Sequence, residues 1–156
     1  LNRRNGDELT RGDGWEIPVH PHGIDVNDLM KEAVGHWNPF WFRDKVHTGG
    51  DWDFKQDGEQ YRDFGNFVYG ATGKSMFGEF GFPDHTLLNE AGVAHQKDHP
   101  EEYHPEWGEP GPRWNPFFGG SGSYGDQPWD QAQIKNGINY HNVQYLNKYS
   151  PFAPYY

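Results

Sequence analysis

Rings, more than branched aliphatics, must fill whatever interior this chain builds. It carries 7 Trp, 9 Tyr and 11 Phe, so 17% of residues are aromatic while only 33% are hydrophobic of any kind. Each ring removes a large area from water, so a few can replace many aliphatic side chains. Each indole N–H and phenol O–H also needs a partner, which limits how the rings can be placed. The 21 Gly and 12 Pro push the same way, toward loops held by ring packing. A mean hydropathy of -1.04 would suit a disordered chain, but disordered chains are poor in aromatics. The expectation is a folded, loop-rich globule, and 156 residues suit one domain.

Charge narrows the partners. The chain has 13 Lys and Arg against 23 Asp and Glu, a net charge of -10. Nucleic-acid binders draw most of their affinity from basic faces, and here the basic residues are scattered, with one doublet at Arg3-Arg4. Nucleic acid is therefore a disfavoured partner, although a local patch or a metal would suffice for a nuclease. There are no cysteines, which removes disulfides and thiolate chemistry. No apolar run approaches the ~20 residues of a membrane span, so no membrane insertion is expected.

Along the chain, residues 1–24 read as a polar lead-in with a short strand near Trp15–Val19, and residues 25–156 as the single functional domain. The first helix is predicted from Asp25 to Trp37, with apolar positions at Val26, Leu29, Met30, Ala33 and Val34. A second, short helix follows Pro39 over Phe40–Val46. Asp51 to Gly73 then alternates polar with aromatic residues around an Asp57-Gly58 turn, which predicts a hairpin or a loop packed on the helices. Helical signals return from Pro83-Asp84 to about Gln96 and from Pro128 to about Leu146. Residues 98–127, rich in Pro, Gly, His and Trp, predict a long loop serving as a lid or rim. The fold class expected is α+β, mainly helical, with a small β-hairpin element.

Chemistry-bearing side chains are densest between Gly49 and Gly73. Asp51, Asp53, Lys55, Gln60, Tyr61, Asp63, Asn66 and Tyr69 stand there among Trp52 and several Phe. Flat ring faces stack on sugars, and amides and carboxylates bond their hydroxyls, so the cluster suits a glycan. Cutting a glycosidic bond requires an acid held neutral near pH 7 and, usually, a second carboxylate. Glu32, mid-helix beside Ala33, is the acid expected to face the apolar interior, where desolvation would raise its pKa. Asp51, Asp53 and Asp63 are its candidate partners. A helix bearing Glu followed by a β element bearing Asp is the lysozyme-like placement. For any one of these residues the plainer reading is a solvated charge or a core ring.

Nine histidines raise the question of a metal. His95-x-x-x-His99 has helical i,i+4 spacing, but no HExxH pattern occurs, and the histidines read as surface or hydrogen-bonding groups. No metal and no cofactor is therefore assigned. Gly70-Ala71-Thr72-Gly73-Lys74-Ser75 lacks P-loop spacing, and no GxSxG elbow is present.

The stretches Gly49–Gln56 and Gln60–Gly73 resemble the bacterial polymorphic toxin type 44 family. So do Met30-Lys31-Glu32-Ala33, Ala91-Gly92, Pro105-Glu106-Trp107-Gly108, Tyr124-Gly125-Asp126 and Ile134–Tyr140. The chain departs in Phe54, where a tyrosine is usual, and in its His-rich 95–104 segment. The resemblance implies the C-terminal payload of an exported protein used against rival bacteria, commonly with a neighbouring immunity protein. It does not imply a reaction, but its motif points to the same site positions, with Glu32 among them. The function expected is a secreted muramidase-type hydrolase acting on the glycan strand of peptidoglycan. A nuclease toxin is the second reading, and a non-catalytic carbohydrate-binding module the third.

Overall fold

Helix signals near the chain's start act where they stand. In the computed structural model, which describes residues 9–10 and 16–149, α1 spans Val26–Val34. Asp25 caps it, its side chain accepting from the Asn27 N–H at 2.8 Å. Val26, Met30 and Ala33 turn inward at helical spacing. The helix stops short of Trp37: Gly35 follows it, the His36 N–H bonds back to the Ala33 carbonyl at 3.0 Å, and Trp37 is left exposed. Asn38 then caps α2, Pro39–Val46, with Pro39 at a first-turn position where its missing N–H costs nothing.

The segment read as a hairpin is helical. After a tight turn closed by the Trp52 N–H on the Lys45 carbonyl at 2.8 Å, two short 3-10 turns cover Phe54–Asp57 and Glu59–Tyr61. They run directly into α3, Arg62–Ser75. The apparent alternation at Tyr61, Phe64, Phe67 and Tyr69 conceals a helical stripe. Phe64, Phe67, Val68, Ala71, Thr72 and Ser75 are among the buried positions and recur at helical spacing. Among the described residues the strands are β1, Leu9–Thr10, and β2, Glu16–Ile17, an antiparallel pair of two residues each inside the expected lead-in. β2 falls within the stretch expected to hold a short strand; residues 1–8 and 11–15, Trp15 among them, lie outside the described residues. Among the described residues the domain is mainly helical, with five helices and essentially no sheet.

α3 is the central element, because its glycines let other backbones approach. It packs along α5, Pro128–Tyr149, where a Cβ on Gly70 would overlap the Ile134 carbonyl and one on Gly137 the Phe67 carbonyl. Close crossing brings Phe64, Phe67, Val68 and Ala71 against Ile134, Ile138 and Tyr140 in one core. Burying such a side chain stabilises the fold by roughly 2 kcal/mol. Polar ends of the rings find partners in this core. The Tyr140 hydroxyl donates to Asn27 Oδ1 at 2.9 Å, and that of Tyr69 to the Leu87 carbonyl at 2.7 Å.

α4, Asp84–Asp98, faces α2 across a gap that α3 floors. The long segment from 99 to 127 has one 3-10 turn, Pro105–Trp107, and is lashed to α4 along its length. Fully buried Asn89 accepts from the Gly111 N–H at 2.7 Å and donates to the Gly111 and Pro112 carbonyls, each at 3.2 Å. Glu90 takes both contacts of the Arg113 Nε, at 2.8 and 2.9 Å. The segment is a fixed rim. Among the described residues, no helix is long and apolar enough to cross a membrane.

Candidate functional site

A cleft of about 700 Å³ opens between α2 and α4. One wall is α2 with the turn through Thr48, Trp52 and Asp53; the other is α4 with Glu90, His95, Asp98 and His99. Asn66 and Tyr69 of α3 line the floor, which ends at Arg62, Asp126 and Asp130. Arg113 and Trp114 of the rim complete the lining. Five of the residues singled out in the sequence meet here: Trp52, Asp53, Lys55, Asn66 and Tyr69. Asp53 is positioned by the turn, its Oδ2 accepting from the Gly49 N–H at 2.9 Å. Tyr69 presents its ring alone, since its hydroxyl is bonded to Leu87 and burial pushes that hydroxyl's pKa up.

The other five stand elsewhere. Glu32, the expected buried acid, is on the surface: its side chain is 44% exposed and lies 3.5 Å from Lys45 Nζ. Asp51 meets the same ammonium at 3.1 Å. The two acids therefore share one lysine, whose pKa is raised first by its hydrogen bond to Asp51. The correction has a simple cause. Val26, Met30 and Ala33 take the inward stripe of α1, and Glu32 lies off it. Asp63 is 3% exposed, but it accepts from the Trp129 indole N–H at 3.0 Å and does not line the cleft. Gln60 is exposed, and Tyr61 packs against the core; neither lines the cleft.

In place of Glu32, the cleft holds a buried group drawn from three distant segments. Arg62, opening α3, places Nη2 2.7 Å from Asp130 Oδ2 in the first turn of α5. Burial works against the guanidinium charge, but Asp130 and Glu59 outweigh it. Asp126 is 4% exposed, accepting from the Gln127 N–H at 2.8 Å and from Gln131 Nε2 at 3.0 Å. Burial, with Asp130 nearby, pushes its pKa up to about 7. His95 of α4 faces it, with Nδ1 3.5 Å from Asp126 Oδ1 and Nε2 3.4 Å from Glu102 Oε2. Burial, then repulsion from His99, lowers the imidazole pKa.

Comparison of the chain with family models, with curated proteins and with solved structures finds no match. The site is therefore read from its own chemistry. It offers a buried carboxyl near neutrality, a second carboxyl locked to a guanidinium, and an imidazole touching the first. Donor atoms of His99, Glu101 and Glu102, within 4.8 Å of one another at the end of α4, could hold an ion. Sequence reading missed Arg62, His95, Asp126 and Asp130 as a set. The available signal was Asp126 and Asp130 flanking Pro128 at a helix start, which also reads as ordinary first-turn acidity.

Proposed function

We propose that this chain is the hydrolytic domain of an exported bacterial toxin, cutting the glycan of peptidoglycan in the cleft between α2 and α4. The observation that carries the reading is the carboxyl pair on the cleft floor. Asp126 and Asp130, 4% and 5% exposed, stand beside indole, ring and amide groups that suit a sugar. Glycosidic cleavage needs a proton delivered to the departing oxygen and negative charge beside the developing cation; water then adds at the anomeric carbon. Asp130, tied to Arg62, is held in place as the negative partner. Asp126 has no Lys or Arg ion pair among the described residues and is the member placed to hand over the proton. Asp53 and Asn66 take the sugar hydroxyls, with Trp52 and Tyr69 beneath the ring. A cleft of about 700 Å³ is of the size that holds small ligands.

The toxin setting rests on the resemblance to the polymorphic toxin type 44 family, which also suggests export and a cognate immunity protein as partner. The net charge of -10 favours a glycan over a polyanion. Purified chain incubated with cell-wall sacculi should release new reducing ends, read by mass spectrometry of the soluble fragments. Asp126→Asn and Asp130→Asn should each lower that rate by about 100-fold or more. Sacculi left intact by the unmodified chain would sink the reading.

One observation favours a second reading. His95, in contact with Asp126 and near Arg62, is the equipment of phosphodiester cleavage: an oriented imidazole beside a guanidinium. The same preparation incubated with RNA and DNA separates the two. Nucleotide fragments with untouched sacculi would make the chain a nuclease toxin.

A further inference from the structure

We propose that His99, Glu101 and Glu102, whose donor atoms lie within 4.8 Å of one another, form with the neighbouring His95 a binding site for one divalent transition-metal ion of the zinc type, at the end of α4 where it borders the cleft. His95 and His99 stand one turn apart on α4, their ring centroids 5.1 Å apart. After the helix the chain doubles back, the Glu102 N–H bonding the His99 carbonyl at 2.9 Å, which returns Glu102 to the same pair. Its Oε2 lies 3.4 Å from His95 Nε2. Donors bound tetrahedrally at zinc distances are separated by about 3.3 Å, so this spacing already suits an ion between them. Glu101 stands in reach as a fourth ligand, its Oε1 3.5 Å from His99 Nδ1.

A second observation, independent of the cluster, also indicates a ligand. The His95 side chain is only 6% exposed, yet Nε2 has no hydrogen-bond partner. A buried polar nitrogen left unpaired is costly, and such groups are rare in folded proteins. The opposite nitrogen, Nδ1, faces Asp126 Oδ1 at 3.5 Å. A metal-bound imidazole commonly has such a carboxyl group beside its other nitrogen, which orients the ring toward the ion. Two imidazoles with carboxylate and no thiolate suit zinc and its neighbours, whereas magnesium and calcium prefer all-oxygen sets. A bound ion would join the end of α4 to the segment that follows and hold the His95 ring over the cleft floor.

The test reads metal content and is separate from any turnover assay. Full-length chain stripped with chelator and dialysed is titrated calorimetrically with zinc chloride and, in parallel, with magnesium chloride. Metal content is then measured by mass spectrometry. The expected result is one zinc per chain, no magnesium, and a higher thermal unfolding midpoint with zinc. His99→Gln and Glu102→Gln, at positions partly open to solvent, should each weaken zinc binding by at least about tenfold, with the far-ultraviolet spectrum unchanged. His22→Gln, at an exposed position away from the cluster, should bind as the unmodified chain does. Binding of less than one equivalent, or equal binding by the His99→Gln/Glu102→Gln double variant, overturns the proposal.

Discussion

His141 sits within the packed part of α5, its ring 3% exposed, with Nδ1 3.3 Å from Asn142 Oδ1 and Nε2 4.0 Å from Glu79 Oε1. Burial lowers its pKa below the roughly 6.5 of a free imidazole. Below that value the unfolded chain takes up a proton that the folded chain refuses, so this residue costs stability as the pH falls. Asp126, with its pKa raised, acts in the opposite sense: the folded chain holds its proton longer, and stability drains as the pH rises toward 7. The useful comparison is therefore between the unmodified chain and His141→Gln. Their urea midpoints should differ more in the variant's favour at pH 5.5 than at pH 7.5; an equal difference at both would refute the assignment. Other single residues show why the aromatic-and-polar stretch was only half legible. An interior made of rings needs acceptors for indole and phenol hydrogens, and Asp63 serves Trp129 in that way. From the sequence, such an acceptor and a catalytic carboxyl look alike.

At the scale of elements, the α3–α5 crossing depends on absent side chains. Gly137 lies where an added Cβ would meet the Phe67 carbonyl and come within 2.9 Å of the Ala71 nitrogen. Alanine is intrinsically the better helix former by about 1 kcal/mol, but here the neighbour is backbone and cannot swing aside. Gly137→Ala should therefore destabilise the chain by about 2 kcal/mol or more, whereas Asn139→Ala on the exposed side of the same helix should be close to neutral. Thermal unfolding of both variants checks the contrast. The starts of α1, α2, α4 and α5 were legible because they are marked locally, by Asp25, Pro39, Pro83-Asp84 and Pro128. α3 was not, because its glycines and its aromatics at 61, 64, 67 and 69 imitate a strand until the buried face is known.

At the scale of the whole molecule, the cleft gathers residues far apart in the chain. Arg62 reaches Asp130, and His95 lies between Asp126 and Glu102. Glu32 sits outside it, bound to Lys45. Exposed ion pairs are worth at most about 1 kcal/mol, so Glu32→Gln should keep both the fold and, within about twofold, the rate of glycan release measured for the unmodified chain. A loss comparable to that of Asp126→Asn would return the chemistry to α1. The amino-acid order alone was enough for a mainly helical, ring-filled interior, the starts of four helices, and five residues that line the cleft, because those depend on neighbours a few positions away. Which carboxyls are taken out of water depends on how helices cross, and on whether a given side of α1 or α5 meets another element. That is settled by packing between segments more than sixty residues apart, as Arg62 and Asp130 are, and no local pattern records it.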